Sequence, residues 1–87
     1  MCTMISNTAA VSGSAKGAQG WFAVTHASVG FDHATHGPAE HMLLLDFLNR
    51  DLGPAARVGV ELDLASGRAL LAELHAVIDA AEATGLS

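Results

Sequence analysis

An alternation of side chains over residues 21–31 constrains the fold more than any other feature of the sequence. In the segment W-F-A-V-T-H-A-S-V-G-F, every second residue belongs to one set, which includes Trp21, Val29 and Phe31. Successive side chains of a β-strand point to opposite faces of the sheet, so a period of two indicates a strand. The pattern therefore predicts a long strand at about 20–31.

Three further segments carry the residue types of strands, and they predict strands at about 3–12, 40–49 and 56–62. The segment at 40–49 is apolar on both phases, which is typical of a strand that lies between two layers. The glycine-rich segment Gly13–Gly20 predicts a hairpin loop between the first two strands.

The end of the chain has the spacing of an amphipathic helix, and it predicts a helix at about 64–84. Asp63 can cap its start by accepting backbone N–H bonds, and Gly85 is a suitable stop. The apolar stripe comprises Leu70, Leu71, Leu74, Val77, Ile78 and Ala81.

The short connections between these segments favour sequential antiparallel pairing. The expected fold class is α+β, a four-stranded antiparallel meander followed by one C-terminal helix packed on one face. A chain of 87 residues has room for a single domain, residues 1–87. Its 51% hydrophobic content exceeds what one small core needs, so we expect a second copy to cover the other face in a twofold homodimer.

Charge and hydropathy exclude several partners. The formal net charge is −5 and the four basic residues are scattered, so we expect no nucleic-acid partner. No apolar run approaches the roughly 20 residues of a membrane span, so we expect no membrane partner. The first fifteen residues have no positively charged region ahead of their apolar residues, which indicates no secretory signal and favours the cytoplasm.

Chemistry is concentrated in the ten residues D-H-A-T-H-G-P-A-E-H, from Asp32 to His41. The segment holds three imidazoles and two carboxylates, and neutral imidazole is the commonest protein ligand for metals. In a meander, the start of the chain lies at the same end of the sheet as this segment. We therefore predict a transition-metal site with the ligands His33, His36, His41 and Cys2.

Three histidines with one further ligand suit Zn, Cu, Fe or Ni, and Zn is the first expectation. Glu40 and His41 would have opposite pleats in a regular strand, so His41 is assigned to the ion and Glu40 to proton transfer. Asp32 is the second candidate for proton transfer. His26 precedes His33 by seven residues, or about 20 Å of extended chain, and is therefore excluded from the same site.

The function expected from these residues is that of a small dimeric metal-binding protein. It would extend to a metal-dependent enzyme acting on a small-molecule substrate if the ion keeps an open position, with hydrolysis, isomerisation and oxygen chemistry all open. One alternative is a metal-free small-molecule-binding or cyclase-like module. Another is a plain dimerisation module, for which the surplus of apolar residues is sufficient cause.

The chain resembles an uncharacterised family of small bacterial proteins of about this size. The matching pieces are M-C-T at Met1–Thr3, K-G-A-Q-G-W-F at Lys16–Phe22, F-D-H-A-T-H-G-P-A-E-H at Phe31–His41, D-F-L-N at Asp46–Asn49 and A-R-V-G-V-E-L at Ala56–Leu62. The most specific part is the element D-H-x-x-H-x-P-x-E-H. The resemblance implies a shared fold and no particular reaction. It emphasises Cys2, His33, His36, Glu40 and His41.

Overall fold

The computed structural model describes residues 5–34, 37 and 40–86 of the chain. Its four strands form one antiparallel sheet in the order β1-β2-β3-β4, and one long helix follows. The predicted α+β fold class is confirmed. The elements are β1 (Ile5–Gly17), β2 (Gly20–His33), β3 (His41–Leu48), a 3₁₀ turn (Arg50–Leu52), β4 (Arg57–Leu62) and α1 (Leu64–Thr84).

The β1–β2 hairpin is longer than the sequence predicts. β1 continues through the glycine-rich segment to Gly17, which pairs with Gly20 across a two-residue turn. The register shifts between Ala10 and Gly13, where one strand carries a bulge. The predicted hairpin is confirmed, but its loop is shorter than the predicted Gly13–Gly20, because only residues 18–19 form the turn. Glycine weakens a strand, but it does not prevent backbone pairing when the opposite strand is equally long.

The strand register assigns the side chains to two faces. Phe31 lies opposite Leu43, and Leu43 lies opposite Leu62, so these three share a face. Continuing the alternation along all four strands gives a surface that we call the apolar sheet face. It comprises Ile5, Val29, Phe31, Leu43, Leu45, Phe47, Val58, Val60 and Leu62. The other side, which we call the mixed sheet face, includes Val24, Met42, Asp46, Arg57 and Glu61.

Few side chains of the described residues are buried. The buried apolar residues are Val24, Met42 and Ala56. Asn49 is the buried polar residue among those described, and both ends of its amide are bonded. Its Nδ2 donates to the carbonyl of Ala23 at 2.9 Å, and its Oδ1 accepts from the backbone N–H of Asp51 at 3.0 Å. These bonds fix the β3–β4 connection against β2.

Both ends of α1 lie where the sequence predicts them. The Asp63 carboxylate accepts from the backbone N–H of Ser66 at 2.7 Å, and this hydrogen bond lowers the pKa of Asp63. At the other end, Gly85 adopts the left-handed conformation with φ of 72°. The predicted cap and stop are confirmed. No helix in the described part of the chain has both the length and the apolar character that a bilayer crossing requires.

α1 contacts the apolar sheet face only near its own start. Gly67, in the first turn, lies so close to the Leu43 side chain that a Cβ would have no room there. No residue of α1 is buried, and the apolar stripe is open to solvent, with Leu70 42% and Val77 65% exposed. The predicted packing on one face is thus seen over the first turn of the helix, which follows β4 after the single residue Asp63.

Candidate metal centre

Two histidines meet at one end of the sheet because β2 ends and β3 begins with an imidazole. His33 and His41 lie directly opposite each other in the strand register. Their ring centroids are 4.4 Å apart, with the planes inclined by 37°. The ring of His41 also stacks on Phe31, at a centroid distance of 5.9 Å. Strand pairing and this aromatic contact together hold two imidazoles side by side.

Glu40 adds a carboxylate to the two imidazoles. β3 begins at His41, so Glu40 lies outside the regular pleat and its side chain is not forced to the opposite face. Its backbone carbonyl accepts from the N–H of Ala34 at 3.1 Å, which closes the base of the connecting loop. One ligand atom each from His33, Glu40 and His41 lie within 4.8 Å of one another. We call these three residues the His–Glu cluster.

The His–Glu cluster has the donor types of a transition-metal site, and its donors lie near the separation that such a site requires. Nitrogen and oxygen ligands lie about 2.0–2.2 Å from Zn²⁺, so donors in a tetrahedral site are roughly 3.4 Å apart. The three groups are exposed, so small rotations about their side-chain bonds bring them to that separation without disturbing a packed core. Three protein donors leave a fourth position open for another ligand.

Gly37, which lies between the two histidines in the sequence, is hydrogen-bonded to the mixed sheet face. The backbone N–H of Gly37 donates to Oε1 of Glu61 at 2.7 Å. Gly37 also lies against the Met42 side chain, where a Cβ would have no room. Glu61 is not among the residues that the sequence indicates for the site. The alternation of β4 predicts its face, whereas its hydrogen bond with Gly37 joins positions 24 residues apart and has no local signal.

The two carboxylates predicted to transfer protons lie in different surroundings. Oδ1 of Asp32 accepts from the backbone N–H of its neighbour His33 at 2.7 Å. Asp32 lies opposite Met42 in the register, on the mixed sheet face, whereas Glu40 belongs to the His–Glu cluster. Proton transfer by Asp32 or Glu40 stays a prediction.

Two of the predicted metal ligands, Cys2 and His36, lie outside the described residues. The first described residue, Ile5, pairs with Phe31, which is two positions before His33. The start of β1 and the His–Glu cluster therefore lie at the same end of the sheet, as the meander predicts.

The two remaining histidines are away from this end. His26 is half-buried, and its Nδ1 is hydrogen-bonded to the Thr25 hydroxyl at 2.9 Å. His75 lies on the exposed surface of α1, with Nε2 3.1 Å from the Asp79 carboxylate. Neither belongs to the His–Glu cluster, which makes His75 a suitable control for it.

A cleft of about 830 Å³ extends from His33 along β3 and β4. Its polar lining includes Glu61 and the pair formed by Arg57 and Asp46, whose Nε and Oδ1 are 2.7 Å apart. The hydrogen bond and the charge of Asp46 raise the pKa of Arg57, so the guanidinium stays protonated. The volume is in the range of small-molecule sites, and of the three cluster residues His33 lines the cleft.

Comparison with known proteins identifies a family. A family model described as a family of unknown function, DUF6295, matches residues 1–87. No curated protein and no solved structure matches the chain at a significant level. The predicted membership of a small uncharacterised family is thus confirmed. With the match covering its whole length, the chain belongs to the DUF6295 family of unknown function.

Proposed function

We propose that this protein is a homodimeric metal-binding protein whose ion is held by His33, Glu40 and His41. The observation that carries the proposal is the convergence of two imidazoles and one carboxylate within 4.8 Å at one end of the sheet. The two imidazoles come from opposite strands in a fixed register, so the backbone brings them together without an ion. Such preorganisation reduces the conformational cost of binding.

The fourth ligand is proposed from the sequence. His36 belongs to the same loop, three residues after His33, and Cys2 precedes a strand that starts at this end of the sheet. Imidazole, carboxylate and thiolate donors together suit Zn²⁺, with Cu, Fe and Ni as alternatives. Neutral imidazole and ionised carboxylate are the binding forms, so metal affinity falls as the pH is lowered.

The cleft beside His33 supports an extension of the proposal to a small-molecule substrate. A transition metal with an open position polarises a carbonyl or lowers the pKa of a bound water. Arg57, at the other side of the cleft, is placed to attract an anionic group of the substrate. Glu40 would hold the ion through one carboxylate oxygen and would leave the other for proton transfer, and Asp32 is the second candidate for that role.

Metal analysis of protein purified without an affinity tag tests the proposal. We expect about one transition-metal ion per chain, measured by inductively coupled plasma mass spectrometry. Replacing His33 or His41 with alanine should lower zinc affinity by roughly 100-fold or more, because a ligand is worth at least as much as the outer partners that orient it. The control variant His75→Ala removes an exposed imidazole and should bind zinc as the parent does.

Two outcomes would contradict the metal-binding proposal. One is a parent protein that contains no transition metal and binds none in competition with a chromophoric chelator. The other is an equal effect of the His33→Ala and His75→Ala substitutions. Small-molecule binding that survives complete chelation would favour the metal-free alternative instead.

A further inference from the structure

Each chain carries two exposed apolar surfaces. On the apolar sheet face, Ile5 is 54% exposed, Val29 43% and Val60 38%. On the apolar stripe of α1, Leu74 is 52% exposed and Ile78 53%. Surfaces of this size and character on one small chain mark interaction sites.

The solvent-accessible surface of the chain is larger than that of a compact monomer of the same mass. A monomer of 8.9 kDa has an accessible surface of about 4,800 Å², whereas this chain exposes 6546 Å². The radius of gyration is 14.6 Å, against roughly 12 Å for a compact domain of 87 residues. The excess, about 1,700 Å², lies within the range of about 1,000–2,500 Å² that each subunit of an obligate dimer buries.

The apolar stripe and the apolar sheet face match in size. The stripe from Leu70 to Ala81 is about 17 Å long, and a helix is about 10 Å wide. The central part of the face extends for about 13 Å from Leu43 to Phe47, and β2, β3 and β4 together span about 10 Å. One helix therefore covers the exposed apolar part of three strands.

We infer that in the homodimer α1 of each chain packs its apolar stripe across the apolar sheet face of the other chain. The surface that covers the apolar sheet face belongs to a second copy, because every chain has one such face and one helix with an apolar stripe. A twofold axis therefore places both helices on both faces at once. The chain's own helix meets this face at Gly67, beside Leu43, and none of its residues is buried there. This inference rests on the homodimer of the proposed function.

Substitutions on opposite sides of α1 test the role of the stripe. Light scattering coupled to size-exclusion chromatography should show the parent at twice the mass of one chain. Leu74→Glu places a charge in the middle of the stripe and should weaken the dimer by about 30-fold or more. Ala76→Glu adds the same charge on the other side of the helix and should leave the dimer unchanged.

Disulfide trapping identifies which surfaces meet, and it does not depend on the folding of the Leu74→Glu variant. Two proteins are mixed in a Cys2→Ser background, one with Leu74→Cys and the other with Val60→Cys. We expect a mixed disulfide between the introduced thiol at position 74 of one chain and that at position 60 of the other, identified by peptide mass spectrometry.

Each outcome of these experiments separates the inference from the proposed function. A dimer that Leu74→Glu leaves intact, or one that traps only helix-to-helix disulfides, would overturn the helix exchange while the homodimer stands. A parent that stays monomeric at high concentration would overturn both the homodimer and the exchange. Metal content is measured independently and is unaffected by either result.

Discussion

Removing the carboxylate of Glu61 should weaken metal binding although Glu61 is not a proposed ligand. Its Oε1 accepts from the backbone N–H of Gly37 at 2.7 Å and so holds this residue, which lies between His33 and His41 in the sequence. A hydrogen bond to a charged group is worth about 1.5–3 kcal/mol. Glu61 is only half-buried and water competes for its carboxylate, so we assign this hydrogen bond about 1–2 kcal/mol.

The energy of this bond converts fully into affinity if the ion binds only when Gly37 is held in this position and the bond is what holds it there. A loss of about 1–2 kcal/mol corresponds to a fall of about 5- to 30-fold in zinc affinity. Glu61→Ala should show that fall in competition titrations with a chromophoric chelator. Glu61→Gln retains a neutral acceptor oxygen and should lose roughly 3-fold.

A matched control separates the loop effect from the change in net charge. Glu82→Ala removes the same charge from the exposed surface of α1 and should bind zinc within about 2-fold of the parent. If Glu61→Ala and Glu82→Ala weaken binding equally, the bond to Gly37 does not control the site and this reasoning is refuted.

Three further predictions concern stability. Gly30→Ala should destabilise the fold by about 1–3 kcal/mol in urea titrations, because its Cβ would lie 2.8 Å from the backbone oxygen of Ile5. In the control Gly13→Ala, the new Cβ meets nothing within 4 Å and should change stability by less than about 0.5 kcal/mol. Equal effects of the two substitutions would contradict the predicted contact. Because the pKa of Asp63 is lowered, its cap stabilises α1 above the ordinary carboxyl pKa, and this stabilisation is lost as the pH falls through the lowered value. The helical circular dichroism signal should therefore fall at acid pH in the parent and fall less in Asp63→Asn, whose amide still caps the helix. An identical acid profile in the two proteins would count against this cap. Chelation should lower the unfolding temperature by an amount that grows with the logarithm of the metal affinity, and an unchanged unfolding temperature after chelation would mean that the folded protein binds no ion.

The strands and both ends of α1 could be predicted because their signals are local. The alternation over residues 21–31 sets which side chains share a face, and Asp63 and Gly85 mark the ends of the helix by their own backbone preferences. The glycines of residues 13–20 predict a longer loop than the structure contains. Their composition is typical of a loop, but pairing with a long β2 holds them in a strand.

The contacts that shape the candidate site are not local. The bond from Gly37 to Glu61 joins positions 24 residues apart, and it depends on which face the loop crosses. The convergence of Glu40 with the histidines depends on where β3 begins, a difference of one residue. The direction of α1 likewise depends on the geometry at Asp63. The pattern of residue types along the sequence predicts none of these three features.

The direct test of the metal centre is an anomalous difference map from crystals of the zinc-loaded, untagged protein. We predict a single strong peak per chain at the end of β2 and the start of β3, about 2.0–2.1 Å from a ring nitrogen of His33 and of His41. A map with no peak between these two rings, or with peaks only at His26 or His75, would contradict the proposed function.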